Sequence, residues 1–153
     1  KPSARYYAYT VLAAAISGDL EYAVAAGREG MSRYPDSGPI LVNTAAALER
    51  RGDVEAAAAL HERAIARGNP PPQAHKSLGD RAYANGDTAG AQTHYEKAVK
   101  LSPRLGDDVY MRLGTLAHEG RDRDMAVLLW RRALDLNPHN EAVKASLRMF
   151  AGA

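Results

Sequence analysis

Cysteine is absent from this sequence, so disulfides, thiol nucleophiles and thiolate metal ligands are all excluded. That absence fits any compartment. Aromatic residues other than tyrosine are scarce: one tryptophan and one phenylalanine stand beside eight tyrosines. No apolar run approaches the roughly 20 residues that a membrane-spanning helix needs. An excess of one charge is missing too. Twenty Lys and Arg against 18 Asp and Glu leave +2, too little for a broad attraction to nucleic acid or anionic lipid. The stretches "RDRD" (121–124) and "RRALDLNP" (131–138) interleave arginine with aspartate, so no unbroken basic stripe forms, and no nucleic-acid partner is expected.

Signatures of chemistry are equally thin. There is no Walker loop, no G-x-S-x-G and no dinucleotide fingerprint. "HERAI" (61–65) starts like a zinc-binding motif but lacks its second histidine. His61, His75, His94, His118 and His139 are spread so that no three gather on one face. His61 and His75 fall on packing positions and read as core or edge residues. The expectation is no enzyme, with no catalytic residue, metal or cofactor.

What is present is a globular composition in 153 residues, 46% hydrophobic and 25% charged, enough for one ordinary domain. Arginine outnumbers lysine 15 to 5 and alanine accounts for 30 residues, a skew that GC-rich genomes encode, so a bacterial source is expected. The chain opens on Lys1 rather than methionine, which suggests a piece of something longer or a processed chain. A removed targeting segment stays open, with the cytoplasm as the default location.

An internal period organises the chain. Gly18, Gly52, Gly86 and Gly120 are 34, 34 and 34 residues apart. Ala23, Ala57, Ala91 and Ala126 follow at 34, 34 and 35. Pro35, Pro70, Pro103 and Pro138 follow at 35, 33 and 35. Each unit reads as two helices. Glycine ends the first, because it tolerates the left-handed conformation of many helix stops. Asp19, Asp53, Asp87 and Asp122 are placed to cap the second by accepting from free backbone N–H groups. Proline closes it, having no N–H to donate. Short turns force neighbouring helices antiparallel. Ala91 and Ala98 let backbones approach, and Tyr95 between them fills the gap; Trp130 stands between Ala126 and Ala133 in the same way. Gly79 and Gly114 are the matching small residues on the first helices. Gly27 and Gly30 lie mid-helix as further close-packing points.

These residues resemble the tetratricopeptide repeat. Unit three carries the pattern as His75, Leu78, Gly79, Ala82, Ala91, Tyr95, Ala98 and Pro103. Unit four carries it as Tyr110, Leu113, Gly114, Ala117, Ala126, Trp130, Ala133 and Pro138. Unit one is looser, with Tyr7, Val11, Ala14, Ala23, Gly27, Gly30 and Pro35; unit two has Leu41, Ala45, Leu48, Ala57, His61, Ala64 and Pro70. The resemblance implies an all-α fold, a right-handed α-solenoid of four helix-turn-helix repeats in a single domain over 1–153. The repeats run over about 4–36, 38–70, 72–104 and 107–139, with a capping helix at about 140–150 that lays Val143, Leu147 and Phe150 on the last repeat. It also implies a protein-interaction module, a scaffold or adaptor, that holds a peptide or protein segment on the concave face built by the first helices.

Within each first helix, a 3-4-3 spacing marks that face. It gives Arg5, Ala8, Leu12 and Ala15; Pro39, Val42, Ala46 and Glu49; Gln73, Lys76, Asp80 and Tyr83; and Asp108, Met111, Thr115 and His118, the last set shifted by one residue inserted after Gly120. Asn43, Ser77 and Arg112 lie beside the stripe. The candidate peptide-binding residues are therefore Leu12, Val42, Asn43, Ala46, Lys76, Asp80, Tyr83, Met111, Thr115 and His118. The N-terminal half is apolar and the C-terminal half mixed, which suits a ligand with one apolar and one polar segment. Some members of the family hold a chaperone tail with a carboxylate clamp. The matching positions here are Ala8, Leu12, Asn43, Gln73 and Ser77, of which only Asn43 fits, so chaperone tails are not expected.

The first helix stands apart. "YYAYTVLAAAI" (6–16) is apolar nearly all round, where a terminal repeat normally shows a polar outer face. Further repeats before it, self-association through Tyr6, Tyr9 and Ala13, or an apolar end of the ligand face would each account for this. The functions that remain are a peptide-binding adaptor, an oligomerisation or architectural segment, and the docking arm of a larger enzyme.

Overall fold

The computed structural model describes residues 1–151. Among them are nine helices and no strand: α1 (Ala4–Ser17), α2 (Leu20–Arg33), α3 (Gly38–Arg51), α4 (Val54–Ala66), α5 (Pro72–Ala84), α6 (Thr88–Leu101), α7 (Asp107–Glu119), α8 (Arg123–Leu136) and α9 (Glu141–Ala151). The predicted all-α fold of helix pairs is there, and α9 follows as the capping helix. The chain forms two compact units, Lys1–Leu78 and Gly79–Ala153.

In the first unit, α1 and α3 each pack on the second helix of their pair around Val11, Ala23, Ala45, Leu48 and Ala57. The small residues work as spacers. A Cβ on Gly30 would come 2.8 Å from Cβ of Tyr7, and one on Gly27 would come 2.7 Å from Cγ2 of Thr44. Helix α2 therefore approaches α1 and α3 at a distance no larger residue permits.

The second unit repeats the device with larger rings. Tyr95 and Ala91 on α6 are fully buried among Val109, Leu113 and Leu116. A Cβ on Gly79 would meet the Tyr95 ring at 2.7 Å. Trp130 on α8 is buried between Ala126 and Ala133, over Gly114, and its indole N–H donates to the Met111 carbonyl at 3.2 Å. Val143, Leu147 and Phe150 of α9 pack on this cluster. The turn before α9 is fixed by Asp107, whose Oδ2 accepts from the amides of Asn137 at 3.0 Å and Asn140 at 2.7 Å. Burial pushes the Asp107 carboxyl up, but these amides, with its own and the Asp108 backbone N–H, hold it below the usual carboxylate value.

Two details differ from the sequence expectation. Asp19, Asp87 and Asp122 cap their helices by accepting from the N–H groups of Tyr22, Gly90 and Met125. Asp53 makes no such bond, because its carboxylate is paired with Arg51. The fourth helix stop also shifts. Gly18, Gly52 and Gly86 have φ of +90°, +96° and +76°, but Gly120 is not left-handed. Arg121 takes that conformation instead, at φ +64°. The stops thus fall at 18, 52, 86 and 121, in step with Ala23, Ala57, Ala91 and Ala126.

A side chain in that conformation is strained where glycine is not. Arg121 is exposed and lies outside the core clusters. Arg121→Gly should therefore raise the stability by about 1 kcal/mol, measured by urea unfolding. An unchanged or lower stability would show that the turn gains from arginine something the conformation does not reveal.

Candidate functional site

Each unit presents the stripes of its first helices separately. In the first unit they come from α1, α3 and the start of α5. Leu12 and Ala46 are exposed, but Val42 is only 7% exposed, buried with Leu41, Ala64 and Ala74. Asn43 turns its amide onto the Ala8 carbonyl at 2.9 Å and so ties α3 to α1. Beside this tie lies a cavity of about 400 Å³, lined by Arg5, Ala8, Tyr9, Leu12, Pro39 and Asn43 among others. Four of those six, Arg5, Ala8, Leu12 and Pro39, are stripe positions read from the sequence.

The outer face of α1 is bare. Tyr6, Tyr9 and Ile16 are 54%, 57% and 74% exposed, and Ala13 is exposed between them. No helix among the described residues is long and apolar enough to cross a membrane.

Further along the same unit sits a polar group that the spacing did not reveal. His61 is 1% exposed, and its Nε2 lies 3.1 Å from Glu49 Oε1. An ionised carboxylate can only accept, so Nε2 is the donor. Nδ1 is buried and makes no hydrogen bond among the described residues. Burial pushes the Glu49 carboxyl up, but the hydrogen bond and charge of His61, with Ser77 and Lys76, hold it below the usual carboxylate value. Lys76 is half-buried and contributes to that field.

In the second unit, α5 and α7 supply the stripe. Tyr83 is half-buried, with the Arg112 guanidinium 4.6 Å above its ring. Arg112 Nε lies 3.5 Å from Asp80 Oδ1, and the same oxygen accepts from the Tyr95 hydroxyl at 2.7 Å. Burial, then the Asp80 contact, pushes the Tyr95 phenol far above its ordinary value. Asp80, Tyr83 and Arg112 are thus one layered cluster, anchored from below by a core ring. Arg112 is the member that helical spacing placed only beside the stripe. Its role depends on reaching across from α7 to α5, which no spacing within one helix reveals. Thr115 donates back to the Met111 carbonyl at 3.1 Å, so its hydroxyl is occupied within α7. His118 is exposed but stands edge-on to Phe150 of α9 at 5.0 Å between ring centres. The described residues contain no group of three metal-binding side chains placed to hold an ion.

No protein-family model matches the chain, and no curated protein matches it in sequence. Solved structures do match in fold. PilF of Pseudomonas aeruginosa superposes with a TM-score of 0.75 at 18% identity, over 92% of this chain and 64% of that one. MamA from Desulfovibrio magneticus RS-1 superposes at 0.68 and 18%, over 92% and 78%. A MamA of AMB-1 superposes at 0.71 and 21%, over 90% and 81%. PilF and MamA are both helical-repeat proteins of the tetratricopeptide type. At these identities the likeness is one of fold.

The Tyr95–Asp80 bond is the link between core and face, which makes it the place to probe. Tyr95→Phe keeps the ring over Gly79 and removes only the hydroxyl. It should cost about 1.5 kcal/mol, near the low end for a bond to a charged acceptor, because half-exposed Asp80 recovers water. No loss in chemical unfolding would mean that the Tyr95 hydroxyl does not hold Asp80.

Proposed function

We propose that the chain is a tetratricopeptide-repeat interaction module, a non-catalytic scaffold that holds a peptide or protein segment on the faces of its first helices. The cavity between α1 and α3 carries this reading. It is an open, largely apolar recess on the stripe that the repeat pattern assigns to ligand. Leu12 and Ala46 offer apolar contact in the first unit, with Asn43 and Lys76 as polar neighbours. Asp80, Tyr83, Met111, Thr115 and His118 form the mixed counterpart in the second. Val42 supports the stripe from beneath, since it is buried. The fold shared with PilF and MamA is consistent with a scaffold.

A second reading rests on α1. Tyr6, Tyr9, Ala13 and Ile16 make an exposed apolar surface that soluble monomers rarely leave uncovered. On this reading two copies meet through that face and the chain is an oligomerising segment.

One experiment separates the two. The native chain and a Leu12→Glu, Ala46→Glu variant, checked for folding by circular dichroism, serve as paired baits in a native lysate. Both substitutions fall on exposed positions, so folding should survive. A protein retained by the first bait and lost by the second supports the adaptor. The same capture by both baits moves the working surface off the first-helix stripe. Capture of the chain alone, lost on Tyr6→Glu, establishes self-association instead.

A further inference from the structure

The cavity of the first unit has a chemistry of its own, and it extends the peptide-binding reading above, on which it rests. Its floor and walls are apolar: Ala8, Leu12 and Pro39, with the Tyr9 ring at one side. Arg5 is the one charged residue that lines it. Among the described residues, Arg5 pairs not with a carboxylate but with Tyr9. Its Nη2 lies 3.4 Å from the Tyr9 hydroxyl, and its guanidinium carbon 5.5 Å from the ring centre. Helix α1 contains no acidic residue at all. The guanidinium therefore lines an apolar recess, steadied against an aromatic face, with no carboxylate partner among the described residues. Such a fork matches a carboxylate, to which it can give two parallel hydrogen bonds. Ser37 lines the same cavity, and its hydroxyl makes no capping bond to α3. One N–H of the Asn43 amide is given to the Ala8 carbonyl, which sets the spacing of the two helices.

We propose that this cleft takes an acidic-apolar peptide segment, with a large aliphatic or aromatic side chain seated on Ala8, Leu12 and Pro39 and a neighbouring carboxylate on Arg5. The volume of about 400 Å³ lies at the small end of ligand sites, which fits one anchoring side chain better than a whole folded surface. Affinity comes from burying that side chain, and selectivity comes from the unpaired cation. A segment bearing lysine or arginine at the same place meets repulsion from Arg5.

The test is a displayed library of random heptapeptides, selected on the native chain, on Arg5→Glu and on Leu12→Asp. Arg5 and Leu12 are both exposed, so both variants should fold, and circular dichroism checks it. The native chain should enrich peptides with Asp or Glu within two positions of a large apolar residue. Synthetic copies should lose about tenfold in affinity on Arg5→Glu, and that variant should select Lys or Arg in place of the acid. Leu12→Asp should weaken every selected peptide. Enrichment of peptides without an acid, or equal binding to Arg5→Glu, overturns this inference; if Leu12→Asp still abolishes binding, the broader peptide-binding reading survives. Binding indifferent to both variants, or no enrichment at all, overturns the two together.

Discussion

Close approach of helices through a missing side chain is the constraint on which this molecule depends. Tyr95 lies over Gly79 where even one methyl group would meet the ring at 2.7 Å, and Trp130 lies over Gly114 in the same way. Flanking alanines at 91, 98, 126 and 133 are fully buried and keep the backbones near. In the first unit, Gly27 and Gly30 do this against Thr44 and Tyr7. A helix pair of this size cannot bury its apolar surface alone and needs neighbours within its unit. The interlock draws the two helices of a pair together at Gly30, Gly79 and Gly114, and draws α2 against α3 at Gly27.

The same constraint determines which side chains reach the candidate faces. Tyr95 fills the space beneath α5, and its hydroxyl emerges at Asp80. Asp80 then faces Arg112, which covers Tyr83. The polar cluster of the second unit is built outward from a core ring. The first unit has a different surface. Its α1 and α3 are joined by the Asn43–Ala8 bond, which leaves an apolar recess with Arg5 at its edge. Elsewhere in that unit, His61, Ser77 and Lys76 hold the Glu49 carboxyl below its usual value, while one His61 nitrogen makes no hydrogen bond among the described residues. The apolar first-unit face and the charged second-unit face thus have separate physical origins.

Much of the fold was legible because its signals are local. A helix stop, a cap and a small-large-small triplet each act within a few residues, and the 34-residue period shows them repeated. Even the displaced fourth stop left a trace, since Ala126 stands 35 residues after Ala91. What resisted reading depends on contacts between helices. Period alone puts Val42 and Ala46 on one stripe; Ala64 and Ala74 decide that the first is buried. Asp53 has the right place for a cap, yet Arg51 takes its carboxylate. The Glu49–His61 pair joins α3 to α4, and the Arg112–Tyr83 stack joins α7 to α5. Neither follows from spacing within one helix. The cleft beside Arg5 was half legible: its residues were on the predicted stripe, but its walls need two helices at a known distance.

The central claim is that buried aromatic rings over small residues hold the two helices of a repeat together, and the single tryptophan allows it to be tested cleanly. Trp130→Ala, compared with the native chain by guanidinium unfolding followed by circular dichroism, should lose about 3–5 kcal/mol, as expected for a large ring removed from a packed core. A loss below about 1 kcal/mol would mean that the ring carries little packing energy, and would contradict the register on which this account is built.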